Sequence, residues 1–275
     1  MKITYLSHSG FAVELPSATL LFDYYKGHIP AFPADKPLYV FSSHSHGDHF
    51  VPQIFDLSAQ YPHVQFVLSH DIWMMRKKHT RAGIPEEAFA QADYLRAYET
   101  KSYPHLSVTT LRSTDMGVAF VVTCDGKKIY HAGDLHWWAW PGDTKANLNN
   151  MTANYQREIH KLQELLTIHD DTLHDNVSSD SALSTNQPSP SPSFLDVAFL
   201  PLDGRLEENY AMGINYFLEH IPVNHVFPMH FWDQYQVITD YLNSLEKKIV
   251  PASTLTNDHP HQIYHISEEG QHWFI

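Results

Sequence analysis

Four side chains that bind metals fall within six residues, His44-Ser45-His46-Gly47-Asp48-His49, directly after the apolar run Leu38–Ser42. A short, near-continuous apolar run reads as a strand buried on both faces, so layers must cover it on either side. Ser45 and Gly47 are small enough to let the backbone turn at the strand end. His44 and His46, two apart, can then point the same way, while Asp48 and His49 face a neighbouring point. That arrangement suits two metal ions a few ångströms apart, clamping one substrate and one bridging water. In a chain with 21 histidines a lone His-x-His pair is unremarkable, but the whole string at a strand end is not.

The surrounding pattern alternates strands and helices. Ile3–Leu6, Phe11–Leu15 and Thr19–Asp23 read as strands punctuated by Ser9-Gly10 and Pro16-Ser17. Helices are expected over Gln53–Gln60 and Asp71–Lys78, with a strand over Gln65–Ser69 between them. Val118–Thr123 and Lys128–His131 form a hairpin across Asp125-Gly126. Tyr155, Ile159, Leu162, Leu165 and Leu166 recur at helical spacing, predicting an amphipathic helix over Thr152–Ile168. Residues 169–193 are polar and end in a Ser/Pro-rich tract, which predicts a flexible surface loop. Together with the helix they read as an insertion at 143–193 in one domain spanning 1–275. Beyond it come strands over Leu195–Leu200, His225–Pro228 and Gln262–Ile266, and helices over Tyr210–His220 and Gln234–Lys247. This alternation predicts an α/β layered domain.

Composition removes several function classes. Eighteen Lys plus Arg against 31 Asp plus Glu give a formal net charge of −13, the wrong sign for tracking nucleic acid or an anionic membrane. No apolar run approaches the roughly 20 residues that span a bilayer. Met1–Leu15 lacks the continuous apolar stretch of a secretory signal, and the single cysteine, Cys124, cannot close an internal disulfide. A cytoplasmic location is therefore expected, with oligomeric state open.

The HSHGDH string resembles the HxHxDH signature of the metallo-β-lactamase superfamily. The resemblance extends to Gly133-Asp134 after the hairpin, to Pro228-Met229-His230-Phe231 after a late strand, and to Asp23 closing an early one. The opening Ser7-His8-Ser9-Gly10-Phe11 is similar to the start of the ascorbate-6-phosphate lactonase-like branch. The resemblance implies a four-layer αβ/βα sandwich and a dinuclear site. His44 and His46 would hold one metal; Asp48, His49 and His230 would hold the other, and Asp134 would bridge. Asp23 would orient the loop, with His8 and His131 as neighbours of the ligands. The family usually supplies one more histidine just before the strand Val118–Thr123, where this chain has Leu111-Arg112-Ser113-Thr114-Asp115-Met116-Gly117. Asp115 is the candidate substitute, a hard oxygen donor that moves metal preference from zinc towards manganese or iron.

One or two divalent ions are thus expected, zinc first, with Asp48 or Asp134 orienting an activated water. The implied activity is hydrolysis of an ester, lactone or phosphodiester of a small molecule. A di-iron redox protein and a metal-binding scaffold without turnover are the alternatives. The tract His136-Trp137-Trp138-Ala139-Trp140 follows Asp134, making Trp137 and Trp138 candidate pocket walls. Arg205 could fork onto a substrate anion or pair with Asp203.

Overall fold

The structure, a computed structural model, describes residues 1–81, 84–174, 194–247 and 261–275. The first half builds one sheet and its cover. Strands β1 (Lys2–Ser7), β2 (Gly10–Glu14), β3 (Thr19–Phe22) and β4 (Leu38–Ser42) lead through a 3₁₀ segment, Pro52–Ala59, to β5 (Val64–Ser69) and helix α1 (His70–Arg81). Asp71 in the first turn of α1 and Lys78, His79 and Arg81 in its last complement the helix dipole. The short helix α2 (Glu86–Phe89) precedes β6 (Ala92–Leu95).

The chain then crosses to a second sheet through β7 (Thr100–Ser102), β8 (Leu106–Arg112), β9 (Val118–Cys124) and β10 (Lys127–His131). Helix α3 spans Lys145–His174. Next come β11 (Leu195–Pro201), a 3₁₀ segment at Gly204–Asn209, α4 (Met212–His220), β12 (Val223–Met229), α5 (Gln236–Lys247), β13 (Gln262–Ile263) and β14 (His272–Phe274).

Two seven-stranded sheets result, ordered β14-β1-β2-β3-β4-β5-β6 and β13-β12-β11-β10-β9-β8-β7. They pack face to face through aromatic rings. Phe11 meets Phe199 at 4.3 Å between centroids, Phe22 meets Phe199 at 6.0 Å, and Phe41 meets Phe120 at 5.3 Å. Each such ring contributes on the order of 2–3 kcal/mol by leaving water. A second cluster, including Leu38, Val40, Phe55, Phe66, Ile72 and Phe89, lies between the first sheet and its helical cover. On the far side α3 and α4 pack against each other and onto the second sheet, where Tyr130 stacks on Phe217. This is the expected αβ/βα sandwich.

Element boundaries differ from the sequence reading where polarity hides the pattern. Helix α3 starts at Lys145, not Thr152, because its first turns carry exposed polar residues that hydrophobic spacing does not register. Thr144 caps it, accepting the Asn147 N–H at 3.2 Å. The helix also runs past Ile168 to His174, so residues 169–174 are helical where a loop was expected; residues 175–193, the rest of that expected loop, lie outside the described ones. Among the described residues no helix is long and apolar enough to cross a membrane.

Candidate metal centre

Parallel pairing gathers one end of both sheets. In the first sheet β3, β4 and β5 run parallel, and in the second β10, β11 and β12 do. Side chains just beyond the ends of such strands converge on a crevice. Asp23 follows β3, the HSHGDH string follows β4, Asp134 follows β10, Asp203 follows β11 and His230 follows β12. The β1–β2 turn adds His8 at the same edge, and the β8–β9 turn adds Asp115.

Glycine makes the close approach of these turns possible. At Gly117, with φ of 72°, a Cβ would come within 2.6 Å of the His44 Cβ and still closer to the Ser43 carbonyl oxygen. At Gly133, with φ of 51°, it would meet the Ser43 side chain at 2.5 Å. Both turns therefore press onto the strand end that launches His44. Asp23, His8 and His230 themselves have positive φ, at 42°, 54° and 63°. Backbone strain of this kind concentrates where surrounding contacts fix a site.

The donors form two groups. His44, His46, Asp115 and Asp134 each bring one ligand atom to within 4.8 Å of the others, and so do His8, Asp48, His49 and His230. Asp134 stands between the groups. Its Oδ2 lies 3.4 Å from His44 Nε2, while its Oδ1 lies 3.2 Å from His49 Nε2 and 3.3 Å from His230 Nε2. Neither His49 Nε2 nor Asp134 Oδ1 makes a hydrogen bond, although both are buried. Asp115 lies 3.8 Å from His46 Nδ1 and is half exposed.

The opposite edges of the imidazoles are anchored. His49 Nδ1 donates to Asp23 Oδ2 at 2.8 Å and His230 Nδ1 donates to Asp203 Oδ2 at 2.9 Å. Asp23 also accepts the Ser43 N–H at 2.7 Å and the Ser43 hydroxyl at 2.6 Å. That hydroxyl, already donating, accepts from His44 Nδ1 at 3.0 Å. Each of the three rings consequently turns Nε2, the nitrogen these anchors leave free, towards the centre, where a bound metal would take the place of any proton it carries. His131, by contrast, is fully satisfied: Nε2 donates to the Ser9 carbonyl at 2.9 Å, Nδ1 accepts the Gly133 N–H at 3.2 Å, and the ring stacks on Phe22. It supports the core and the Gly133 turn.

The field of the site attracts positive charge. Burial works against a charged His49, yet Asp134 and Asp23 outweigh it and raise its pKa to about 9. Burial lowers His44 to about 4, with His49 adding to the effect. Asp134 stays anionic despite its burial, held below the usual carboxylate range by His49, His230 and His44. Asp115 moves the other way, raised by partial burial and by Asp134.

A cavity of about 300 Å³ opens over the groups, lined by His46, Asp48, Asp115, Trp138, Trp140, Arg205 and Trp232 among others. Trp137 does not line it, contrary to expectation. The Trp138 indole N–H bonds the Asp134 carbonyl at 3.0 Å, which folds that ring towards the site, while Trp137 turns outward onto Tyr155 and Tyr216. Trp232, two residues beyond His230, is a wall that the sequence reading missed; nothing in spacing reveals its direction after a turn with φ of 54°. Arg205 grips Asp203, its Nε 2.9 Å from Oδ1, and lies 5.4 Å from the Trp140 ring and 5.1 Å from the Trp232 ring. Asp203 therefore links Arg205 to His230, a role not foreseen from sequence.

A family model described as a beta-lactamase superfamily domain matches residues 2–146, more than half of the chain. The chain belongs to the metallo-β-lactamase superfamily. Curated superfamily relatives include a UPF0173 metal-dependent hydrolase of Cereibacter sphaeroides, 25% identical over 52% of this chain and 68% of the relative. Another, from Opitutus terrae, is 31% identical over 49% of this chain and 63% of its own length. Among solved structures, Igni18, a metallo hydrolase from Ignicoccus hospitalis, superposes with a TM-score of 0.59 at 16% identity, covering 99% of this chain and 97% of that one. Zn²⁺-bound PqqB from Methylobacterium extorquens matches with a TM-score of 0.50 at 12% identity, over the full length of both chains. These two support the superfamily fold. None of the four singles out the lactonase-like branch.

Proposed function

We propose that this protein is a metal-dependent hydrolase of a small anionic ester, lactone or phosphodiester. The observation that carries the reading is the split of the Asp134 carboxylate between two donor groups, one oxygen towards each. The residues fit divalent ions. Buried polar atoms without partners cost a few kcal/mol each, and His49 Nε2 and Asp134 Oδ1 are such atoms, aimed into the space between the groups. His44, His46, Asp115 and Asp134 would hold one ion; Asp48, His49, His230 and Asp134 the other. Mixed nitrogen and oxygen donors suit zinc, the ion that PqqB binds, with the Asp115 oxygen extending the range to manganese or iron.

A divalent metal so held supplies Lewis acidity and lowers the pKa of water from about 16 to about 7. Everything else comes from the chain. Asp48 and Asp134 are the carboxylates that orient an attacking water. Both are already anionic at neutral pH, since His8 and His49 hold Asp48 well below the ordinary carboxylate range against its partial burial. Trp138, Trp140 and Trp232 exclude water from the cavity, and the guanidinium of Arg205 places positive charge at its wall for a substrate anion. One unpaired cysteine and the acidic surface fit a cytoplasmic enzyme acting on small molecules.

Metal analysis of the purified protein, combined with a panel of phosphodiesters, lactones and carboxylic esters, tests this. The expectation is up to two equivalents of metal and turnover of at least one class, abolished in His49→Ala and His230→Ala. Full metal content with no turnover across the panel refutes the hydrolase in favour of a scaffold. Bound iron with a visible absorption band and oxygen consumption refutes it in favour of a redox protein.

A further inference from the structure

We propose that His8 is a further protein ligand of the buried metal position, beside Asp48, His49, His230 and Asp134, and that this closes that position while leaving the one at His46 and Asp115 open and exchangeable. The inference rests on the metal-binding reading above and deepens it. It assigns each position a different task.

His8 is not placed as a core histidine. Its ring is 1% exposed, and neither nitrogen has a hydrogen-bond partner. His131, equally buried at the end of β10, shows what a packing histidine looks like here, with both nitrogens bonded. Leaving both ring nitrogens of a buried imidazole unbonded is costly unless something else takes the lone pair. His8 Nε2 lies 3.4 Å from Asp48 Oδ2, and the ring packs 4.2 Å from His230 and 5.3 Å from His49, centroid to centroid. All four offer ligand atoms within 4.8 Å of one another.

The backbone is built to hold that ring there. The β1–β2 register shifts between Tyr5 and Ser7, the kind of irregularity that re-aims a side chain. His8 then takes φ of 54°, a region bulky residues enter only under constraint. The constraint comes from both sides: the His8 N–H donates to the Tyr5 hydroxyl at 2.8 Å, and the His8 carbonyl accepts the His230 N–H at 3.2 Å. One hydrogen bond thus ties the His8 backbone directly to that of His230.

The two positions differ accordingly. The side chains of His8, His49 and His230 are 1%, 0% and 4% exposed, whereas those of His46 and Asp115 are 46% and 50% exposed. Closed donor sets make structural sites, and open sets leave a coordination position for substrate. The deep position therefore holds its metal tightly, and the outer one, on the cavity side with Trp140 and Arg205, loads last and meets substrate.

Protein stripped of metal is titrated with Zn²⁺ and Co²⁺ against a chromophoric chelator. Wild type is expected to bind in two events at least tenfold apart. Asparagine tolerates the left-handed conformation, so His8→Asn removes the imidazole and keeps the turn. It should weaken the tight event about 10–100-fold, while Asp115→Asn weakens only the loose one. His8→Asn that folds normally by circular dichroism and leaves the tight event unchanged overturns the proposal and leaves the metal reading standing. Wild type that binds no metal overturns both. X-ray absorption on wild type carrying one equivalent of zinc gives the answer without any variant. Three imidazoles at the tight position support His8 as a ligand; two overturn it.

Discussion

Asp23 accepts the Nδ1–H of His49 at 2.8 Å across 26 residues of sequence, with neither side chain exposed to solvent. The same carboxylate secures Ser43 at the start of the ligand string. Asp23→Asn should therefore disturb two things at once. The amide cannot accept from every donor now gathered on Asp23, and its NH₂ competes for the His49 edge, releasing the tautomer that turns Nε2 inward. Loss of such an outer partner typically lowers metal affinity 10–100-fold, which chelator competition would read directly. Breaking a buried charged contact also costs about 3–5 kcal/mol, so chemical denaturation of the metal-free variant should show a loss of that order. Affinity equal to wild type would mean that the loop holds His49 without Asp23.

Gly117 offers a test of how the outer position is assembled. The β8–β9 turn lies so close to Ser43 that a single methyl group has no room, and φ of 72° is itself unfavourable for alanine. Gly117→Ala should cost roughly 2–4 kcal/mol, combining the backbone penalty with the clash. It should also push Asp115 away from His46, weakening the loosely held metal before the tightly held one. A thermal shift assay with and without added zinc separates the effects: the metal-free midpoint drops, and the zinc-dependent rise shrinks.

Much of this centre is legible in the amino-acid sequence. The HSHGDH string and the strand ahead of it rest on local pattern, while Asp134 after a hairpin and His230 after a late strand come from the family resemblance, and all six of these candidate ligand side chains gather in the two donor groups. Asp115 lies beside His46 because the turn it occupies is fixed by β8 and β9, whatever residue sits there. What stays hidden depends on backbone direction or distant pairing. The role of His8 turns on a register shift and a positive φ that no spacing announces. Strand β14 pairs with β1 across nearly the whole chain. Strands β6 and β7 are short and, Leu95 apart, lined with half-exposed or exposed residues, so they carry little hydrophobic signal. Leu106–Arg112 does alternate buried and partly buried positions along most of its length, so a strand signal is present there that the sequence reading missed. Trp137 and Trp138 are adjacent in sequence yet face opposite ways, one onto α3 and the other into the cavity.

Acidification should destabilise the metal-free protein through His136. Its ring is buried, and Nε2 has no partner. The ring fills the space where Gly213 lacks a Cβ, since an added Cβ would lie 2.4 Å from Cε1. Burial, with His230 adding to it, lowers the His136 pKa to about 3 against 6.5 for an unperturbed imidazole, more than Asp203 and Asp134 can offset. The unfolded chain therefore takes up a proton that the folded one refuses. This contribution to stability is complete above pH 6.5 and is lost as pH falls from there towards 3, at up to about 1.4 kcal/mol per pH unit. His8 and His44, both held near 4, act in the same direction between 6.5 and 4. His49, raised to about 9, acts in reverse: its contribution is complete below 6.5 and is lost as pH rises through 9. His136→Phe keeps a ring of similar size and removes the proton site. Denaturant unfolding at pH 7, 6 and 5 should show a shallower fall for the variant than for wild type, by up to one proton's worth of slope. Parallel falls would show that His136 carries its proton in the folded state.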